Sequence, residues 1–112
     1  MNSFAQLITE AMEELKAEDV QTFDVRALTT MTDFMIIASG RSNRQVKAIA
    51  EKVIEIAKSS QIRPLGVEGQ QQAEWILIDF GDLIAHIMQP TTRAYYQLEK
   101  LWSVTDRASS LP

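Results

Sequence analysis

Between Trp75 and Met88, two runs of strand-forming residues flank a single Gly81-Asp82 pair, and this stretch constrains the fold more than any other. A glycine at the first central position reaches the positive φ that a type II′ turn requires, so Trp75 to Phe80 and Leu83 to Met88 read as an antiparallel hairpin. The turn fixes the register. Phe80 then meets Leu83, Ile78 meets Ala85 and Ile76 meets Ile87 on one wholly apolar face, which belongs in a core. The opposite face pairs Asp79 with Ile84, Leu77 with His86 and Trp75 with Met88. These large apolar residues would suit packing beneath a helix. The carboxylate and imidazole among them tilt the reading toward an interface, where big anchors and satisfied polar groups occur together.

The flanking sequence supplies the partners of this hairpin. Ser3 and Gln6 form a capping-box pattern, and Phe4, Leu7, Ile8, Ala11, Met12 and Leu15 recur at helical spacing, which predicts a helix over residues 4 to about 17. Val20 to Arg26 alternates as a strand does. Asp33 to Ser39 is a second strand, and its run Phe34-Met35-Ile36-Ile37-Ala38 is apolar on both faces, as expected at the centre of a covered sheet. After Gly40, Ser42 and Gln45 form another capping box ahead of Val46, Ile49, Ala50, Val53, Ile56 and Ala57, giving a helix to about Ser59. Ile62 to Val67 is a short strand, and Pro64 within it lacks a ladder donor, which points to an edge or a strand start. Pro90 suits the first turn of a last helix, with Ala94, Leu98, Leu101, Tyr95 and Trp102 as its stripe, ending near Trp102. Residues 103–112 carry no pattern and are expected as a flexible C-terminal tail on a domain spanning 1–102. The order implies a single α/β domain with a mixed five-stranded sheet flanked by helices, in which the strand at 33–39 and that at 62–67 are expected as parallel neighbours joined by a right-handed helical crossover.

Composition then removes several function classes. With no cysteine and His86 as the lone histidine, thiolate and histidine-rich metal sites are excluded, and no metal or cofactor is expected. Apolar runs such as Met35-Ile36-Ile37-Ala38 fall far short of the roughly 20 residues needed to span a bilayer. The amino terminus shows no secretory or transit pattern, so a cytoplasmic address is expected. A net charge of −4 disfavours an extensive nucleic-acid surface and suits a basic protein partner. Glu68, Glu74, Asp79 and Asp82 are expected to cluster near one end of the hairpin.

Three stretches together resemble the ribosomal silencing factor family (RsfS, YbeB or Iojap). They are Thr32-Asp33-Phe34-Met35-Ile36-Ile37-Ala38-Ser39-Gly40 with Ser42, Arg44, Gln45 and Val46; Pro64-Leu65-Gly66-Val67-Glu68-Gly69; and Glu74 to Trp102. The last carries Glu74-Trp75, Asp79-x-Gly81-Asp82, His86-x-Met88 and Arg93-x-x-Tyr96-x-Leu98-Glu99-x-Leu101-Trp102. Ala85 departs from the usual β-branched residue, and Pro90 and the glutamine run at 70–72 are local to this chain. The resemblance implies a nucleotidyltransferase-like topology used for binding rather than catalysis. It also implies docking on large-subunit ribosomal protein fourteen, steric obstruction of the small subunit, lowered translation, and a homodimer when free.

On that basis the candidate partner-binding residues are Glu68, Trp75, Leu77, Asp79, His86, Met88, Arg93 and Tyr96. Arg93 and Glu99 would equally suit a solvated helix face, with Tyr96 between them half-buried. Arg41, Ser42 and Arg44 precede a helix amino terminus and form a possible anion-binding site, although most such starts are only caps. The competing reading is a nucleotidyltransferase-like enzyme or nucleotide-binding protein. Metal-assisted nucleotidyl transfer needs converging carboxylates. The strand after the second helix offers only Glu68, while Asp79 and Asp82 are separated by the hairpin turn, so no catalytic residue is assigned. A dimeric adaptor unconnected with ribosomes is a third reading.

Overall fold

Apolar residues recurring every three to four positions place two helices against one face of a five-stranded sheet. The computed structural model describes residues 3–102. In chain order the elements are α1 (Ser3–Glu14), β1 (Glu18–Asp24), β2 (Phe34–Ser39), α2 (Asn43–Ser59), β3 (Gly66–Glu68), β4 (Trp75–Asp79), β5 (Leu83–Met88), α3 (Pro90–Tyr96) and α4 (Leu98–Trp102). The tail expected at 103–112 lies outside the described residues.

The strands lie in the order β1-β2-β5-β4-β3. The β4–β5 hairpin pairs in the expected register, with Ile78 opposite Ala85, Ile76 opposite Ile87 and Leu77 opposite His86. Gly81, at φ +90°, makes its turn. Only β2 and β5 are parallel neighbours, paired from Phe34 and Leu83 to Ser39 and Met88. The expected pairing of β2 with the strand after α2 is therefore corrected: β5 and β4 stand between them, and β3 is the far edge. The reason is pairing length, since β5 offers β2 six apolar-rich residues and β3 offers three. Pro64 sits just outside β3, where its missing donor costs no ladder bond.

Strict alternation divides the sheet. Ile36, Ala38, Ile76, Ile78, Leu83, Ala85 and Ile87 face α1 and α2 and form the main core with Ile8, Met12, Val46, Ile49 and Val53. Full burial of such side chains contributes about 1.5–3 kcal/mol each, which makes this layer the main stabilising element. Met35, Ile37 and Met88 point the other way into a smaller cluster with Val25, against which Phe23, Trp75, Ile84 and Leu98 pack. This second face is covered only in part.

Helix ends explain several boundaries. Ser42 caps α2 by accepting the Gln45 backbone N–H at 3.1 Å. The Gln45 side chain accepts the Arg41 N–H at 2.7 Å and donates to the carbonyls of Leu15 and Lys16, which ties the start of α2 to the end of α1. Ser3, expected as a cap, is the first residue of α1, which ends at Glu14 rather than near 17. β1 begins at Glu18, two residues before the expected strand, and a bulge between Glu18 and Gln21 holds Asp19 at φ +50°. The single last helix expected from Pro90 to Trp102 is two, because Gln97 adopts the left-handed conformation (φ 53°, ψ 48°).

Candidate interaction face

The second sheet face is built by the outward-alternating residues of β4 and β5. Trp75, Leu77 and Asp79 are half-buried along β4, and Ile84 is half-buried opposite Asp79. Glu68 on β3 stands opposite Leu77 and therefore shares its face, exposed at the sheet edge. α3 lies beside this row. Its Tyr96, 57% exposed, packs against Trp75 in a tilted contact, 5.0 Å between ring centroids. Tyr95 continues the ladder outward, 4.9 Å from Tyr96. A partner would meet aromatic and aliphatic surface rimmed by carboxylates.

Two polar side chains of the hairpin are hydrogen-bonded within it. His86 is 5% exposed, and its Nδ1 accepts the Trp75 Nε1–H at 2.9 Å. That bond assigns the ring proton to Nε2 and requires a neutral imidazole at Nδ1. Burial lowers the His86 pKa from 6.5 to about 4. Asp79 Oδ1 accepts the Gly81 N–H at 2.8 Å and so helps to shape the hairpin turn.

The structure separates the expected partner residues into two groups. Glu68, Trp75, Leu77, Asp79 and Tyr96 reach the surface of one face. Met88, at 0% exposure, is core, and His86 and Arg93 are buried supports behind that face. Arg93 reaches inward from α3: its Nε donates to Glu99 Oε2 at 2.7 Å and its Nη1 to Ser39 Oγ at 2.9 Å. The solvated face considered for Arg93 and Glu99 is thereby corrected, because the bend at Gln97 turns Glu99 back toward Arg93. The acidic cluster also separates, since Glu74 and Asp82 flank opposite ends of β4. Tyr95 was missed by the sequence reading as a face residue. Its signal was the adjacent aromatic pair Tyr95-Tyr96 late in a short helix.

At the start of α2 the contacts are those of a cap. Arg41 Nε donates to Glu18 Oε2 at 2.7 Å, Ser42 Oγ holds the Gln45 N–H, and Arg44 is exposed. Asn43 Nδ2 donates to the Gln72 carbonyl at 3.0 Å, and Asn43 Oδ1 accepts from Gln89 Nε2. Among the described residues no group of three or more His, Cys, Asp or Glu stands together as a potential metal site, and no helix is long and apolar enough to cross a membrane.

Comparison with known proteins agrees with this architecture. A family model described as ribosomal silencing factor during starvation matches residues 1–111. The ribosomal silencing factor of Haemophilus influenzae is 43% identical over 101 residues, covering 90% of this chain and 99% of that protein. The chloroplastic Iojap protein of Zea mays is 37% identical over 100 residues, which cover 89% of this chain and 43% of that longer protein. A crystal structure of a Chromobacterium violaceum protein superposes with a TM-score of 0.89 at 40% identity, covering 92% of this chain and 88% of that one.

Proposed function

Because the chain belongs to the ribosomal silencing factor family, we propose that it docks on the large ribosomal subunit through large-subunit ribosomal protein fourteen and sterically blocks the small subunit. The family name points to a regulatory factor rather than an enzyme, and association with the ribosome follows from it. The finer reading is carried by one observation: Trp75, Leu77 and Ile84 of the hairpin and Tyr96 of α3 leave an apolar row part-exposed, backed by the buried His86 that accepts the Trp75 N–H. Large aromatic anchors at the centre of a well-packed patch carry most of the energy in protein interfaces. Glu68 and Asp79 border the row, which fits a basic partner and would speed encounter. Steric exclusion needs no bond to be made or broken.

In this reading the protein represses translation in the cytoplasm, makes no extensive nucleic-acid contact, and pairs with a second copy when free. Titrating purified protein fourteen against the chain tests the contact. Trp75→Ala should raise the dissociation constant about thirtyfold, equivalent to roughly 2 kcal/mol for an interface tryptophan. A folded Trp75→Ala protein that binds as tightly as wild type would remove this face from the account.

A further inference from the structure

α4 is five residues long, too short to persist as an isolated helix, so its place depends on what it touches. It follows Gln97, whose left-handed backbone is disfavoured for a side chain of this kind and makes an abrupt corner after α3. Among the described side chains, Leu98 and Glu99 reach inward from it. Leu98 packs on the small cluster of Val25, Met35, Ile37 and Met88, next to Trp75 and Ile84 of the docking row. Glu99 reaches the buried guanidinium of Arg93. Leu101, on the same short helix, is 60% exposed.

The Arg93–Glu99 contact is half closed. Nε and Nη2 of an arginine form a fork that a carboxylate can grip with both oxygens. Here Nε holds Oε2 at 2.7 Å, while Arg93 Nη2 and Glu99 Oε1 are both buried without a hydrogen-bond partner. Asp19 Oδ2 lies 3.3 Å from Nη2, close enough for attraction between charges but without hydrogen-bond geometry. Arg93 has independent supports, since Ser39 at the end of β2 and Asp19 at the bulge of β1 both engage it. If Glu99 leaves, Ser39 and Asp19 still engage Arg93.

We propose that α4 is a hinged strap on the second sheet face, turning at Gln97, seated by Leu98 and Glu99, and released to enlarge the docking surface. The closed strap keeps the Val25, Met35, Ile37 and Met88 floor beneath Leu98, and the open strap offers that floor to the partner as an inward extension of the row at Trp75 and Ile84. This inference rests on the docking reading above, and its local part is testable without a ribosome.

Hydrogen exchange on the full chain, wild type against Glu99→Gln and Leu98→Ala, measures the seating. Both variants should speed exchange of the amides at 98–102 about tenfold or more while α2, β2 and β5 keep their protection. Unchanged exchange in both variants, or loss of protection spreading through β2 and β5, would overturn the strap. Glu99→Gln should also bind the large subunit several-fold more tightly, because Leu98 no longer competes for its seat. Weaker binding would make α4 part of the contact surface and overturn its role as a cover. Failure of the wild-type chain to bind the large subunit at all would defeat the docking reading, and the exchange result would stand apart from it.

Discussion

Acidification should weaken the folded state through one residue, His86. Its Nδ1 accepts a hydrogen bond from Trp75 in a site almost closed to solvent, and burial lowers its pKa from 6.5 to about 4. A group whose folded pKa is depressed in this way binds its proton first in the unfolded chain. Above pH 6.5 both states are neutral and the residue contributes no pH dependence. Between pH 6.5 and about 4 the unfolded chain is protonated and the folded one is not, so stability falls as pH falls. Each unit is worth about 1.4 kcal/mol, which amounts to roughly 3 kcal/mol across the window. Asp24, held at about 2 by its Arg26 partner, loses its contribution only below its ordinary value of 3.8, outside this window. Urea unfolding from about pH 7 to about pH 4.5 should show wild type losing roughly 2–3 kcal/mol. His86→Gln, which can still accept the Trp75 N–H but does not titrate, should lose far less over the same range. Equal slopes in the two proteins would refute the claim that the His86 ring is closed off from solvent.

Two further substitutions test the local architecture. Gly69 has φ +86°, and a Cβ there would lie 2.0 Å from the Trp75 carbonyl oxygen, so Gly69→Ala should destabilise by about 2 kcal/mol or more in the same unfolding assay and displace the start of β4. Ser42→Ala removes the acceptor for the Gln45 N–H and should cost about 1 kcal/mol, read as a lowered urea midpoint with an unchanged slope.

The hairpin and the helical layer were legible because their signals are local and redundant. Gly81 sets the register, alternation in Trp75–Asp79 and Leu83–Met88 assigns the faces, and Ser42 with Gln45 marks the start of α2. Strand order was less legible. Whether β3 or β5 lies beside β2 is decided by competition for a long-range pairing, and the short run at Gly66–Glu68 loses to Leu83–Met88. The corner at Gln97 carries no glycine or proline to announce it, and neither does the positive φ of Asp19. Those two backbone choices decide the fate of Arg93 and Glu99, which spacing alone allowed to be a solvated surface. Trp75, Leu77 and Asp79 were readable as a mixed face, whereas Tyr96 entered only through the family resemblance. Burial of Met88 and His86 was not, because it depends on how Val25 after β1 and the helices α3 and α4 fold back over the sheet.

Sedimentation of separated ribosomal subunits tests the central claim most directly. With the protein added before the subunits are mixed under joining conditions, it should travel with the large subunit and reduce the assembled peak, saturating near one copy per large subunit. Ribosomes already joined should be much less affected, because assembly hides the docking site, and dilution should reverse the block as the factor dissociates. Migration with the small subunit alone, or normal assembly in an excess of the protein, would contradict the account.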